Sequence, residues 1–330
     1  MTKIAIIGAG LAGLSLAHEL KAIADVELFE KSWRAGGRVT SRIHATHCFD
    51  HGAQFFTVRS AQFKDFLQPL LAQGKIAPWH ARFVEIDKSG ISHARQWDDD
   101  YPHFVGVPNM SEIGSSLAEG LTIHYEKKIC RLEKVAGQWQ LADETALHAG
   151  FDWVILAIPP AQAWPLVKNH MPSWEAISTC QMQACYSLML GLQNDIDLGW
   201  DAALVREHDI SWISVNSSKP GSRSDYALLV HATNKWADQN LTMPLDAVTQ
   251  HLQNEVFRVT GLAAQDVKVS DIHRWLYANL PKHEKQSYVD ANSGMALCGD
   301  WCIQGRVEAA YMSAISLVEE LKERVLSTGV

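Results

Sequence analysis

Gly8, Gly10 and Gly13 stand at the spacing Gly-x-Gly-x-x-Gly, after the continuous apolar run Ile4 to Ile7 and before Leu14, Ala17 and Leu20 at helical intervals. Between a buried strand and a helix, this spacing binds a dinucleotide pyrophosphate. The first glycine permits a tight turn, the second lets the phosphates approach the backbone, and the third lets helix and strand pack closely. The helix start at Leu11, Ala12 and Gly13 offers unpaired amides and the positive end of the helix dipole. Glu30 closes the next strand-like run, Val26 to Glu30, where an acid accepts hydrogen bonds from an adenosine ribose.

Two further stretches bear on the same ligand. Glu30-Lys31-Ser32-Trp33-Arg34-Ala35-Gly36-Gly37-Arg38 carries a second glycine pair, which lets the chain pass close to a cofactor, and Arg38 has the charge to neutralise its diphosphate. Near the C-terminus, Leu297-Cys298-Gly299-Asp300 is followed by Gly305 to Ala310 and a helix beginning at Val307. Asp50 to Thr57, Trp212 to Gly221, Leu229 to Thr233 and His273 to Ala278 mix aromatic and polar residues. His231 reads equally well as a satisfied structural histidine, Trp275 and Tyr277 as core, Asn216 as a turn residue, and Lys219-Pro220-Gly221 as a turn.

The Gly36-Gly37-Arg38 run and the Gly299-Asp300 segment resemble the two FAD-binding signatures of the flavin amine oxidase superfamily. Asp50-His51-Gly52-Ala53-Gln54-Phe55-Phe56 resembles the Gly-Ala-Gln-aromatic segment of renalases, and the stretches around Trp212, His231 and Trp275 look like bacterial renalase-type sequences. The resemblance implies a noncovalent FAD, because the Ser-Gly-Gly-Cys setting of a covalent flavin is absent. It places Gly8, Gly10, Leu11, Ala12, Gly13, Glu30, Lys31, Gly37, Arg38, Gly299, Asp300 and Val307 on the cofactor, with Ile129 behind the adenine. Gln54 and Phe55 would lie beside the flavin, and His231 and Trp275 would line the substrate pocket with them. The helix from Val307 would point its positive end at the ring edge where charge gathers on reduction. The implied reaction is oxidation of 2- or 6-dihydro isomers of NAD(P) to NAD(P)+, with oxygen reduced to hydrogen peroxide. A flavin amine oxidase acting on a primary or secondary amine, or a non-catalytic FAD-binding redox protein, is the alternative. An NAD-dependent dehydrogenase leaves Gly36-Gly37-Arg38 unexplained.

These residues need two kinds of scaffold. Strand-like runs at Lys3 to Ile7, Val26 to Glu30 and Phe151 to Ile158, with Met295 to Leu297, suit an α/β Rossmann-like sheet of the glutathione reductase and amine oxidase type. Shorter strand-like pieces fall at Leu121 to Tyr125, Lys128 to Leu132 and Trp139 to Leu141, and Asn109 or Ser111 caps a helix through Leu117. The stretch from Ala61 to Phe104 is mixed and turn-rich. Beyond Ala163 the chain alternates strands such as Tyr186 to Leu192 with helices such as Leu245 to Val259, as in an α+β substrate domain with an antiparallel sheet. The expected division is a discontinuous cofactor domain at 1–60, 108–162 and 286–330 and a substrate domain at 61–107 and 163–285.

Composition narrows the partners. A formal net charge of −8 in 330 residues, without basic clusters, argues against nucleic acid. Six scattered cysteines make neither a metal nor a disulfide framework, and the absence of a long apolar run argues against a membrane span. A reduced, cytoplasmic enzyme with a small-molecule substrate is expected, its oligomeric state open. Most of the 12 tryptophans are expected in packing, with Trp275 and Trp212 facing the pocket.

Overall fold

The computed structural model describes residues 1–280 and 287–325; the expected domain ends at 281–286 and 326–330 lie outside the described residues. The chain divides into two compact units. The first comprises Met1–Gly37, Gly114–Met182 and Leu280–Val330, and the second Arg38–Ile113 and Gln183–Asn279.

In the first unit a six-stranded sheet runs in the order Tyr288–Asp290, Met295–Leu297, Trp153–Leu156, Lys3–Ile7, Asp25–Phe29, Thr122–His124. All pairings are parallel except that of the Tyr288–Asp290 edge. Apart from Lys3, the two central strands, Lys3–Ile7 and Trp153–Leu156, are apolar because both faces are covered. A three-stranded antiparallel sheet, Arg131–Val135, Gln138–Ala142 and Leu147–Phe151, adds Leu132, Trp139, Leu141 and Phe151 to the core.

The second unit is built on a seven-stranded sheet in the order Val267–Asn279, Gln183–Leu192, Ala227–Ala232, Ile210–Val215, Ala202–Val205, Arg82–Asp87, Gly90–Gln96. It is antiparallel except where Ala202–Val205 meets Arg82–Asp87. Alternate residues such as Tyr186, Leu188, Ile213, Leu228 and Val230 form a core with Val248, Leu252 and Val256 of the helix Leu245–Thr260. The intervening residues project from the other face, where Trp212, His231, Ser187 and His273 are followed by the apolar Met189, Ala227 and Leu229.

Several expectations are corrected. Residues 38–60 cluster with the second unit, because Phe49 packs on Met189, Ala227 and Leu229 and the Ser187 hydroxyl donates to the His51 carbonyl at 2.7 Å. Residues 163–182 cluster with the first, where Ala163, Val167, Trp174 and Ile177 enter its core. The run from Phe151 to Ile158 is two strands, Leu147–Phe151 and Trp153–Leu156, parted at Asp152, whose carboxylate accepts the Lys3 amide at 2.8 Å. The strand expected at Lys128 to Leu132 begins only at Arg131. The turn-rich stretch contains the helix Ala61–Ala72, capped by Ser60 and buried along Phe63, Leu67 and Leu70; Pro69 and its polar residues hide that spacing. Trp33, far from packing, is 71% exposed, with the Arg34 guanidinium over its ring.

Candidate active site

The glycine loop of the first unit has the shape its spacing demands. Gly8 turns at φ +102°, its N–H on the Phe29 carbonyl at 2.9 Å. At Gly13 a β-carbon would lie 2.0 Å from the Gly8 carbonyl oxygen, so any side chain there would push the helix Leu11–Leu20 off the strand end. At Gly10, by contrast, a β-carbon would meet nothing within 4 Å: the loop faces open space. Gly10 is the N-cap and no side chain caps the helix. The amides of Leu11, Ala12 and Gly13 are therefore presented as an anion site.

Other groups brace this loop. Gly36, which pairs with Gly10 in an isolated bridge, donates its amide to the Ala9 carbonyl at 2.8 Å, bringing the Gly36-Gly37 pair onto the loop. Glu30 is buried, and its two carboxylate oxygens accept the Ala9 and Ser32 amides at 2.8 Å each. Each oxygen keeps a second lone pair for a ribose hydroxyl. Asp300 is buried beside Gly299, whose amide donates to the Ser313 hydroxyl at 3.0 Å, and Val307 opens the helix Val307–Val325. An open glycine cradle, an uncapped helix start and a buried acid with spare lone pairs fit the FAD diphosphate and ribose. Three expected cofactor residues have other surroundings. Ile129 lies in the core cluster with Phe29 and Leu132, Lys31 is exposed and donates to Gln162 at 3.3 Å, and Arg38, in the second unit, donates to the Ala278 carbonyl at 3.1 Å.

The second unit gathers the pocket candidates on one face of its sheet. Register aligns Trp212, His231, Ser187 and His273 as direct neighbours across four strands. The segment Asp50 to Phe56 is anchored to this face. The His51 carbonyl accepts the Ser187 hydroxyl at 2.7 Å and the Trp275 indole N–H at 2.8 Å, and the His51 ring stacks on Trp275 with centroids 5.4 Å apart. Gln54, 6% exposed, donates to the Asp50 and Gly52 carbonyls and accepts the Ser214 hydroxyl at 2.7 Å. Its amide is thus already engaged. Phe55 packs on Trp97, His103 and Trp212. Trp275, His231, Phe55 and Gln54 all belong to this face; Asn216 is a clamp, donating to the Cys48 carbonyl at 3.0 Å and accepting the Asp50 amide.

Two features escaped the sequence. Lys219, read as part of a turn, forms an ion pair with Asp50 at 2.8 Å, and the two side chains are 2% and 1% exposed. Asp50 also accepts the Ser41 hydroxyl at 2.6 Å and the Met110 amide at 2.9 Å, so its charge is fully met. No local pattern marks a lysine whose partner is 169 residues away. The second is the state of His231. Burial, aided by the Lys219 charge, lowers its pKa to about 4 against a hydrogen bond to the His51 backbone, leaving the ring neutral at pH 7. Its Nε2 is closed to solvent without a partner among the described residues. Burial also lowers His273 to about 4, aided by Arg42, whose guanidinium lies 3.2 Å from its Nδ1.

Residues 6–70 match the model of the NAD(P)-binding Rossmann-like domain, and residues 82–321 match that of flavin-containing amine oxidoreductases. The chain belongs to the flavin-containing amine oxidoreductase family: it is a renalase-like, FAD-dependent oxidoreductase with a small-molecule substrate. It is 21% identical to mouse (Mus musculus) renalase, over 98% of this chain and 100% of that protein. Its fold is similar to that of a protein from Exiguobacterium sp. 255-15, provisionally described as a protoporphyrinogen oxidase (TM-score 0.79, 13% identity, 98% of this chain and 99% of that one). It is also similar to cyclohexylamine oxidase from Brevibacterium oxydans IH-35A (TM-score 0.70, 12% identity, 97% and 99%). Among the described residues no helix is long and apolar enough to cross a membrane.

Proposed function

We propose that this enzyme oxidises 2- or 6-dihydro isomers of NAD(P) to NAD(P)+, with FAD held noncovalently and oxygen as the electron acceptor. When bound, FAD supplies the hydride acceptor and passes the electron pair to oxygen as hydrogen peroxide. The chain's own task is to hold a flat, uncharged ring. Trp275, Trp212 and Phe55 supply flat apolar surface for it. The observation that carries the reading is the neutral His231 ring, whose unpartnered Nε2 suits a carboxamide N–H. Neutrality matters because the nicotinamide becomes cationic as its hydride leaves, and a protonated histidine beside it would oppose that charge. Gln54, with its amide already engaged, shapes the wall, and the orienting role passes to His231.

Noncovalent attachment is supported by the chemistry of the nearby thiols. Cys298 and Cys302 are buried, and burial pushes Cys298 up to about 12 and Cys302 well above its usual value, which suppresses the thiolate needed to form a flavin thioether. All six cysteines are free thiols, which fits a cytoplasmic setting. The second reading is oxidation of a primary or secondary amine, which the aromatic walls would favour by desolvating it.

Anaerobic mixing with separate dihydronicotinamide isomers tests the proposal. The 2- and 6-dihydro forms should bleach the flavin quickly and the 4-dihydro form slowly. Bleaching by an amine panel instead establishes the second reading, and bleaching by neither refutes both.

A further inference from the structure

A cavity of about 650 Å³ opens in the second unit beside Trp236, which belongs to the core under the helix Leu245–Thr260. Four elements bring charge to it. Lys88 comes from the turn between Arg82–Asp87 and Gly90–Gln96, and Glu207 and Asp209 from the turn before Ile210–Val215. Lys235 comes from the helix Asn234–Gln239, and Glu255 and Arg258 from the helix Leu245–Thr260. None of these residues belongs to the face that carries Trp212 and His231.

Two of the three carboxylates are already answered within the protein. Glu255, 5% exposed, accepts His208 Nδ1 at 3.0 Å, the Asp209 amide at 3.4 Å and the Arg258 guanidinium. Burial would raise its pKa, but the hydrogen bonds from His208 and the Asp209 amide, with the Arg258 charge, hold it below its ordinary value. An ionised carboxylate only accepts, so the His208 ring carries a proton on Nδ1 and is committed to Glu255. Asp209 is paired with His251 at 2.8 Å. Lys88 and Lys235, both exposed, have no carboxylate or hydrogen-bond partner among the described residues. The spare charge is therefore two cations against Glu207. Like charges brought to one cavity repel, and an anion between them converts that repulsion into attraction. The volume falls in the range of small-molecule sites, about 300–1,000 Å³, and exceeds what one inorganic anion fills. Trp236, stacked on His251 at 4.8 Å and 5°, adds an apolar wall that suits a carbon skeleton.

We infer that this cavity binds a small organic dianion bearing carboxylate or phosphate groups, its charge shared between Lys88 and Lys235 and its carbon skeleton against Trp236. The site is separate from the one proposed for the nicotinamide, and its test needs no turnover.

Titration calorimetry on the FAD-loaded enzyme, whose glycine cradle is then filled, uses succinate, glycerol 3-phosphate, uncharged succinamide and inorganic phosphate as probes. Succinate or glycerol 3-phosphate should bind, more tightly than inorganic phosphate, and succinamide should not. The tighter of the two identifies the anionic group. Lys88→Ala and Lys235→Ala should each weaken that binding about tenfold, and Glu207→Gln should tighten it. Both lysines are exposed, so thermal unfolding of the ligand-free variants should match that of the unaltered enzyme. Binding of neither organic dianion overturns the inference, as does equal affinity in the two lysine variants and the unaltered enzyme. Inorganic phosphate or succinamide bound as tightly as the organic dianions also overturns it, because recognition would then need no organic anion.

Discussion

His231 has the sequence setting of an ordinary core histidine, and its environment gives it a different character. With His103 and His273 it is held neutral, each pKa lowered to about 4 chiefly by burial. An unfolded chain protonates histidine near 6.5, so between about 6.5 and about 4 the unfolded state binds more protons than the folded one. Stability is therefore complete above about 6.5 and falls as the pH drops through that window. Denaturant unfolding across it should show the decline, and replacing His103 and His231 by Phe and Gln should make it shallower. His231→Ala should also raise KM for the dihydronicotinamide by about tenfold at pH 7, the worth of one hydrogen bond to a neutral partner; an unchanged KM would remove His231 from the pocket.

At the scale of elements, the tightest constraint is the crossing of the Leu11–Leu20 helix over the first strand. Gly13→Ala puts a carbon 2.0 Å from the Gly8 carbonyl, and the loop must shift to accept it. FAD affinity should fall by at least about tenfold while the second unit, with its separate core, keeps its secondary structure, as separate flavin titration and circular dichroism would show. The Asp50–Lys219 pair ties the Asp50 to Phe56 segment into the second unit. Lys219→Met strands a buried carboxylate and should lower unfolding free energy by about 3–5 kcal/mol, and adding Asp50→Asn should restore much of it. Equal losses in the single and double variants would show that the pair does not act through charge.

For the whole molecule, bound FAD should raise thermal stability in a dose-dependent way, because the glycine cradle, Glu30, Asp300 and the start of the last helix are assembled only in the folded chain. At a free concentration about a hundred times Kd the gain is about 2.7 kcal/mol, and stripping the flavin should reverse it. Scanning calorimetry with and without added FAD would measure it. A midpoint indifferent to FAD would contradict the cradle.

Local signals were legible wherever one short segment carries its own physical requirement. The glycine spacing must make a turn and a close helix crossing, the apolar runs must be buried strands, and the Val307 helix shows its buried stripe in its own spacing. The division of the chain was less legible. Residues 38–60 join the second unit through Phe49 and the His51 carbonyl, and both contacts depend on strands more than a hundred residues away. The pocket face is legible only in part for the same reason. Gln54, Phe55, His231 and Trp275 stand out by type, but Lys219 and the Trp97–His103 stack acquire meaning only when sheet register and loop packing bring distant residues together. Tertiary structure also decides protonation, since a histidine's pKa depends on how deeply the fold buries it and on which charges lie nearby. Sequence alone thus determined the glycine turn with its helix crossing and the class of chemistry, because these rest on short runs of neighbours along the chain. The fold decided which side chains meet, which are neutral and which polar atoms go without partners, because those properties belong to contacts across it.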